Sequence, residues 1–263
     1  MKFLGLRFVE LPKMLAASTR LIWSPVSLYG LFFTRLFGSL DQIGQREFIR
    51  ILSTFAISPP PGNLRLGRHW ALTHSRVRQA QVFSALAGPY MGGGHKKGRT
   101  YDWPLNHLAD GHGEVTPRSF MTLMIEAARN SGHLSSQVFT ADGIRDGLRA
   151  ASKVRLDQLS LEFPWAKRVL APLSYLQVPC EPEAVVERWQ ATSTVNAVMA
   201  RANRREFLPP FNPNDDEQDE IKLMSTLIGE GILTMRADNR VDMPDLFRVA
   251  ARLLRKGGVA PEL

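Results

Sequence analysis

The sequence predicts a mainly α-helical protein, a helical bundle followed by a winged-helix-like C-terminal module with one short β-hairpin. Three observations carry this. Apolar residues recur at spacings of three and four over most of the chain, which places them along one face of a helix. Ser24-Pro25 and Thr116-Pro117 are helix-start signals, a hydroxyl residue to cap the first free amides and a proline whose missing N–H costs nothing in the first turn. A strand–turn–strand pattern occurs late, at 232–243, where β-prone pieces flank a tight turn.

Taken in order, Phe3–Val9 is short and apolar and reads as a strand. After Ser24-Pro25, Leu28, Leu31, Phe32 and Leu36 fall at helical spacing, and a second helix is expected over Gln45–Thr54. The run Ser-Pro-Pro-Pro-Gly-Asn at 58–63 ends it, because each proline lacks an amide hydrogen and restricts its predecessor. A helix over Ser75–Ala87 leads to Gly88-Pro89, and Gly92–Thr100 is a Gly- and Lys-rich loop. The next helix is the best marked: Thr116 caps it, Pro117 opens it, and Phe120, Leu123, Met124, Ala127 and Ala128 form its apolar face. Ile144, Leu148 and Ala151 continue the pattern after Asp142, towards Leu161 and the stop at Pro164.

A long helix is expected over Glu183–Arg205, ending at the Pro-rich stretch Leu208–Pro213. This divides the chain into a helical domain, 1–207, and a C-terminal module, 208–263, which recruits helix 183–205. Asp215, Asp216 and Glu217 place negative charge at the next helix start, as the helix dipole favours, ahead of a stripe of Ile221, Met224, Leu227 and Ile228. Ile232–Arg236, the turn Ala237-Asp238-Asn239 and Arg240–Met243 make the hairpin, and Pro244 opens a last helix.

The formal charge is +8 and the isoelectric point about 10.0. That balance favours polyanionic partners through long-range electrostatics. The single Cys180 excludes an internal disulfide and fits a reducing, cytoplasmic compartment. Leu21–Leu40 comes closest to a membrane span, but Ser24, Pro25, Ser27, Thr34 and Arg35 interrupt it and suit a buried helix better. No membrane partner is expected.

Gly93-Gly-His-Lys-Lys-Gly-Arg99-Thr100 has the spacing of a phosphate-binding loop, with Arg99 where that motif has lysine. Such a loop needs a strand before it and a helix after it. Here a helix precedes it and Asp102-Trp-Pro follows, so the sequence predicts a basic loop without autonomous ATP binding. His107 and His112 flank Asp110, but their spacing suits no single helix face and brings no third ligand, so no metal site is expected. Cys180 has no neighbouring base for nucleophilic chemistry, and no catalytic residue is assigned. Arg65, Arg68, Arg76 and Arg78 around Trp70, and Arg201, Arg204 and Arg205, read equally as solvated helix faces. For nucleic acid the candidates are Lys222 on the helix before the hairpin and Arg236 and Arg240 on the hairpin, elements able to reach a groove and its phosphates. The acidic run 215–220 opposes that role and favours a protein partner.

Pro12–Tyr29, Trp103-Pro-Leu-Asn-His-Leu-Ala-Asp110, Thr116-Pro-Arg-Ser-Phe120 and Gly231–Arg248 together resemble the C-terminal portion of bacterial P-loop ATPases of the STAND and AAA+ kind, where a helical lid and a winged helix follow the nucleotide core. The resemblance implies that residues 1–207 are lid-like and that Arg118 senses a γ-phosphate. Read from the residues alone, Arg118 is an exposed cation at a helix start. The core's own phosphate loop and magnesium-binding acid have no counterpart, so the resemblance implies ATP and Mg²⁺ only where a partner core supplies them. Lys96, Lys97 and Arg99 then become nucleotide-sensing candidates in trans, and an ATPase core or a second copy of the chain the expected partner. A stand-alone winged-helix nucleic-acid-binding regulator is the alternative.

Overall fold

The computed structural model describes residues 21–61, 70–132, 137–212 and 217–261. Among them the protein is mainly helical, with one two-stranded antiparallel sheet near the C-terminus. The segment Phe3–Val9, Arg65, Arg68, Asp215 and Asp216 lie outside the described residues. Contacts divide the chain into two compact units, one of residues 23–108 and 115–151, the other of 21–22, 109–114 and 152–261. Residues 208–261 thus share a unit with 152–207.

In the first unit, α1 (Pro25–Ser39) begins as its sequence dictates: the Ser24 hydroxyl accepts the Ser27 amide at 3.1 Å and Pro25 fills the first turn. The second helix, α2 (Gln42–Thr54), starts three residues earlier than the spacing predicts, because Asp41 caps it through the Gly44 amide at 2.7 Å. Two helices, α3 (Ala71–His74) and α4 (Arg76–Ala87), are separated by Ser75, whose hydroxyl caps α4. A short α5 (Trp103–Leu108) follows the loop, then α6 (Pro117–Asn130), capped by Thr116 through the Ser119 amide at 3.2 Å. The long α7 (Ala141–Glu162) runs unbroken to the residue before Phe163-Pro164, and its first half belongs to this unit.

The core of this unit is aromatic. Tyr29 stacks on Tyr101 with ring centroids 4.0 Å apart and meets Phe83 and Phe120 edge-on at 5.2 and 4.9 Å. Burying two phenols and an amide requires partners for each polar atom, and all have them. Tyr29 Oη donates to the Tyr101 carbonyl at 2.6 Å, and Tyr101 Oη donates to Gln79 Oε1 at 2.7 Å. Gln79 Nε2 donates to the Val26 and Leu72 carbonyls, each at 2.8 Å. The chain of bonds joins α1, α3, α4 and the segment before α5.

α6 and α7 cross where Gly143 and Gly147 leave room for backbone. A β-carbon on Gly147 would lie 2.3 Å from the Leu123 carbonyl oxygen. Ser131, just beyond α6, donates to the Ala127 carbonyl at 2.6 Å and accepts the Thr140 amide at 2.8 Å, fixing the turn into α7.

In the second unit α8 (Ala166–Leu170) precedes α9 (Pro182–Ala191) and α10 (Thr194–Asn203). The single helix expected over 183–205 is therefore two. Ser193 adopts φ 48°, and the Thr192 hydroxyl turns back to the Arg188 carbonyl at 2.9 Å and meets the Thr194 hydroxyl at 2.6 Å. Three consecutive hydroxyl residues compete with the helical ladder for hydrogen bonds, and apolar residues resume at Val195 and Val198 beyond them. Trp189 joins α9 to α8 by donating Nε1 to the Val169 carbonyl at 2.8 Å. The Pro-rich stretch does not act as a free linker: Pro210 and Phe211 are buried, and the Pro210 carbonyl accepts the Thr226 hydroxyl at 3.1 Å.

α11 (Asp219–Gly229) buries Lys222, Leu223, Met224 and Leu227, leaving Ile221 and Ile228 only half-buried, so the inner face is rotated from the one expected. β1 (Thr234–Met235) pairs with β2 (Val241–Asp242), Thr234 facing Asp242. Cys180 adds to the free edge of β2, its amide donating to the Val241 carbonyl at 3.0 Å and its carbonyl accepting the Val241 amide at 2.8 Å. The last helix, α12 (Asp245–Arg248), is a single turn. The tail beyond it is anchored by Arg248, 0% exposed, which donates to Asp245 at 2.6 Å and to the Leu253 and Val259 carbonyls at 3.0 and 2.9 Å. Arg255 joins this cluster through Asp242 and the Met243 carbonyl.

Candidate functional site

The phosphate-loop look-alike is a closed hairpin. Tyr90 and Arg99 pair across its base, Met91 N donates to the Gly98 carbonyl at 3.0 Å and Thr100 N to the Pro89 carbonyl at 3.2 Å. A single 3₁₀ turn over His95–Lys97 forms its tip. The Lys97 and Gly98 amides likewise turn inward, to the Gly94 and His95 carbonyls, each at 3.1 Å, so these four amides are already engaged within the loop. Thr100, at the position where such a motif presents a hydroxyl to magnesium, is 0% exposed and donates that hydroxyl to the Gly88 carbonyl at 2.5 Å. The helix before the loop is α4, and α5 after it has six residues.

The hairpin has two faces of consequence. Lys96, Lys97 and Arg99 are exposed on it, alongside His95. Arg99 also lines a groove of about 680 Å³ running along α4, with Arg76, Val77, Tyr90 and Asp102 among its walls. Arg76 Nη2 pairs with Asp102 Oδ1 at 2.9 Å. Tyr101, at the groove's base, has its phenol pushed well above the usual tyrosine value, chiefly by burial and against the lowering effect of Arg76.

Arg118 is exposed in the first turn of α6, between the cap Thr116 and the buried Ser119 and Phe120. Its backbone is thereby fixed, and the side chain has no ion pair among the described residues. It does not line the groove with Arg99, so the structure does not gather the four nucleotide-sensing candidates into one site.

The nucleic-acid candidates separate as well. Lys222 is 6% exposed, paired with Asp219 at 3.1 Å and seated 5.6 Å over the Phe211 ring. It faces the interior of its own unit, which removes it as a groove-reading cation. Its amphipathic stem and nearby acid explain the burial. Arg236 and Arg240 are on the hairpin surface but held by acids. Arg240 donates Nε and Nη2 to Asp238 at 2.9 and 2.6 Å, and Arg236 lies 3.6 Å from Asp242. The hydrogen bonds from Arg240 hold the Asp238 carboxyl below the usual value and raise the Arg240 guanidinium in turn.

His107 stacks on Trp103 at 3.9 Å, and no cluster of three or more metal-ligating groups occurs among the described residues. His112 lies against Gly231. The Cys180 thiol is pushed up by burial and then by the charges of Asp242 and Glu181, the reverse of nucleophile activation. No helix among the described residues is long and apolar enough to cross a membrane.

Sequence reasoning missed the groove, because Phe55, the α4 face, Tyr90 and Asp102 come from separate segments with no shared motif. It also missed the Asp245–Arg248 pair, whose i,i+3 spacing in Pro-Asp-Leu-Phe-Arg reads as a surface ion pair. Comparison of the chain with protein-family models, with curated proteins and with solved structures gives no match.

Proposed function

We propose that this chain is a non-catalytic lid and winged-helix-like module of a P-loop ATPase system, acting through protein contacts on a nucleotide that another chain holds. The observation that carries the proposal is the closed hairpin at 90–100, whose buried Thr100 hydroxyl donates to Gly88 and whose Met91, Lys97, Gly98 and Thr100 amides are bonded within the loop, which supports a loop that holds no nucleotide by itself. The loop's cations then act outward. Arg118, fixed on a capped helix and with no ion pair among the described residues, has the exposure that sensing a phosphate in trans requires, since a rigidly placed guanidinium loses little freedom on meeting an anion. The order of α11, a Gly-Ile-Leu step, hairpin and α12 supports the winged-helix-like reading of the C-terminal end.

A stand-alone nucleic-acid-binding regulator draws support from the charge of +8, but burial of Lys222 and pairing of Arg236 and Arg240 weaken it. The test is Mg·ATP turnover by the purified chain. The proposal expects none above buffer. Turnover abolished by Gly98→Ala or Arg99→Ala overturns it.

A further inference from the structure

The groove along α4 has the makings of a docking surface. Val77, at 68% exposure, and Ala85 are apolar side chains left facing solvent on a helix whose other face is buried in the aromatic core. Between them Ala80 and Ser84, four residues apart, keep the floor low, and small residues so spaced let a second helix approach closely. The groove is partly open to solvent.

Its charge is one-sided. Arg76 and Arg99 both line the groove, and among the described residues Asp102 is the sole acid on its walls, already paired with Arg76 at 2.9 Å. Arg99 has no ion pair among the described residues, and Lys96 and Lys97 extend the positive field from the adjoining loop. We infer that this groove docks an acidic amphipathic helix of a protein partner, its small apolar face on Ala80, Ser84 and Ala85 and a carboxylate on Arg99. Charge complementarity selects the partner's sign, because a basic helix would desolvate Arg99 against like charge. The inference rests on the protein-contact reading above and gives it a location.

The experiment screens purified full-length chain against an array of capped amphipathic helical peptides graded from net basic to net acidic, then measures the retained peptides by fluorescence anisotropy. Bound peptides should be acidic, and Arg99→Glu and, separately, Ala85→Trp should each weaken them about tenfold or more. Both positions are exposed, so a thermal melt matching the wild type confirms folding. The inference is overturned by binding that ignores both variants and follows only Lys96 and Lys97 neutralisation, by retention of basic peptides, by no retention, or by a single-stranded oligonucleotide displacing the peptide from this groove. ATP turnover by the chain alone would overturn the proposed function and leave a groove result standing.

Discussion

Gly147→Ala isolates the close crossing of α6 and α7. The added methyl would sit 2.3 Å from the Leu123 carbonyl oxygen and 3.2 Å from the Ala127 amide nitrogen, whereas comfortable non-bonded contacts lie near 3.5 Å. Both atoms are α6 backbone, so no rotamer change relieves the overlap and the helices must separate by roughly 1 Å. Overpacking of this kind costs about 3 kcal/mol at the upper end of its usual range. Alanine's better helix propensity returns about 1 kcal/mol, leaving a net loss of about 2 kcal/mol. Gly38→Ala supplies the control: it is exposed in α1 with no atom within 4 Å of the added carbon, so it should be neutral or stabilising by up to about 1 kcal/mol. Urea unfolding followed by circular dichroism reads both as midpoint shifts at constant slope. A Gly147→Ala protein as stable as wild type, with the slope unchanged, refutes the packing argument.

Replacing Arg248 by methionine removes one of the two guanidinium groups paired with buried Asp245, Arg255 at 3.2 Å staying in place, and takes the donors from the Leu253 and Val259 carbonyls, so a loss of about 3 kcal/mol, the low end for breaking a buried pair, is expected by chemical denaturation. Arg248→Lys should not rescue it, since one ammonium cannot reproduce the planar three-way contact. Stability should also fall in alkali. Burial raises the Tyr29 and Tyr101 phenols above the ordinary tyrosine value, so the folded state favours their neutral forms; their contribution is whole below about pH 10 and is lost as pH climbs towards the folded values. Unfolding midpoints from pH 8 upward should show this fall, and Tyr29→Phe should flatten it; an equal slope in the variant counts against the assignment. Cys180 should alkylate with iodoacetamide more slowly than a free thiol at pH 8, with a rate profile displaced to higher pH; a profile at or below that of the free thiol contradicts the burial. Thr100→Val should cost about 1 kcal/mol by removing the bond to Gly88, without altering nucleotide affinity in a titration; nucleotide binding present in the wild type and lost in the variant would mean the hydroxyl faces a ligand.

How much of this was legible in the sequence depended on how local the determining interactions are. Ser24-Pro25 and Thr116-Pro117 marked their helix starts correctly because a cap and the amides it satisfies lie within four residues. The hairpin was legible for the same reason, through the turn at 237–239. The break at Ser193 was not, since Val185, Val186 and Trp189 before it and Val195 and Val198 after it each look helical, while the hydroxyls of Thr192 and Thr194 decide the backbone between them. Lys222 was misplaced because its burial depends on Phe211, eleven positions away, and on a partner acid that propensity does not weigh. Of the candidate site, the helix ahead of the loop in place of a strand could be read from its flanks; the groove beside it could not, being assembled by the fold from Phe55, α4, Tyr90 and Asp102.

The most direct measurement of the central proposal uses the tagged full chain to retain a P-loop ATPase from the cells that express it, in Mg·ATP and in ADP, and assays the retained enzyme's turnover. The account predicts that wild-type chain changes that turnover and that Arg118→Ala removes the effect by about a hundredfold, with a smaller loss on neutralising Lys96, Lys97 and Arg99 together. Equal turnover with wild type, Arg118→Ala and the triple variant would contradict it.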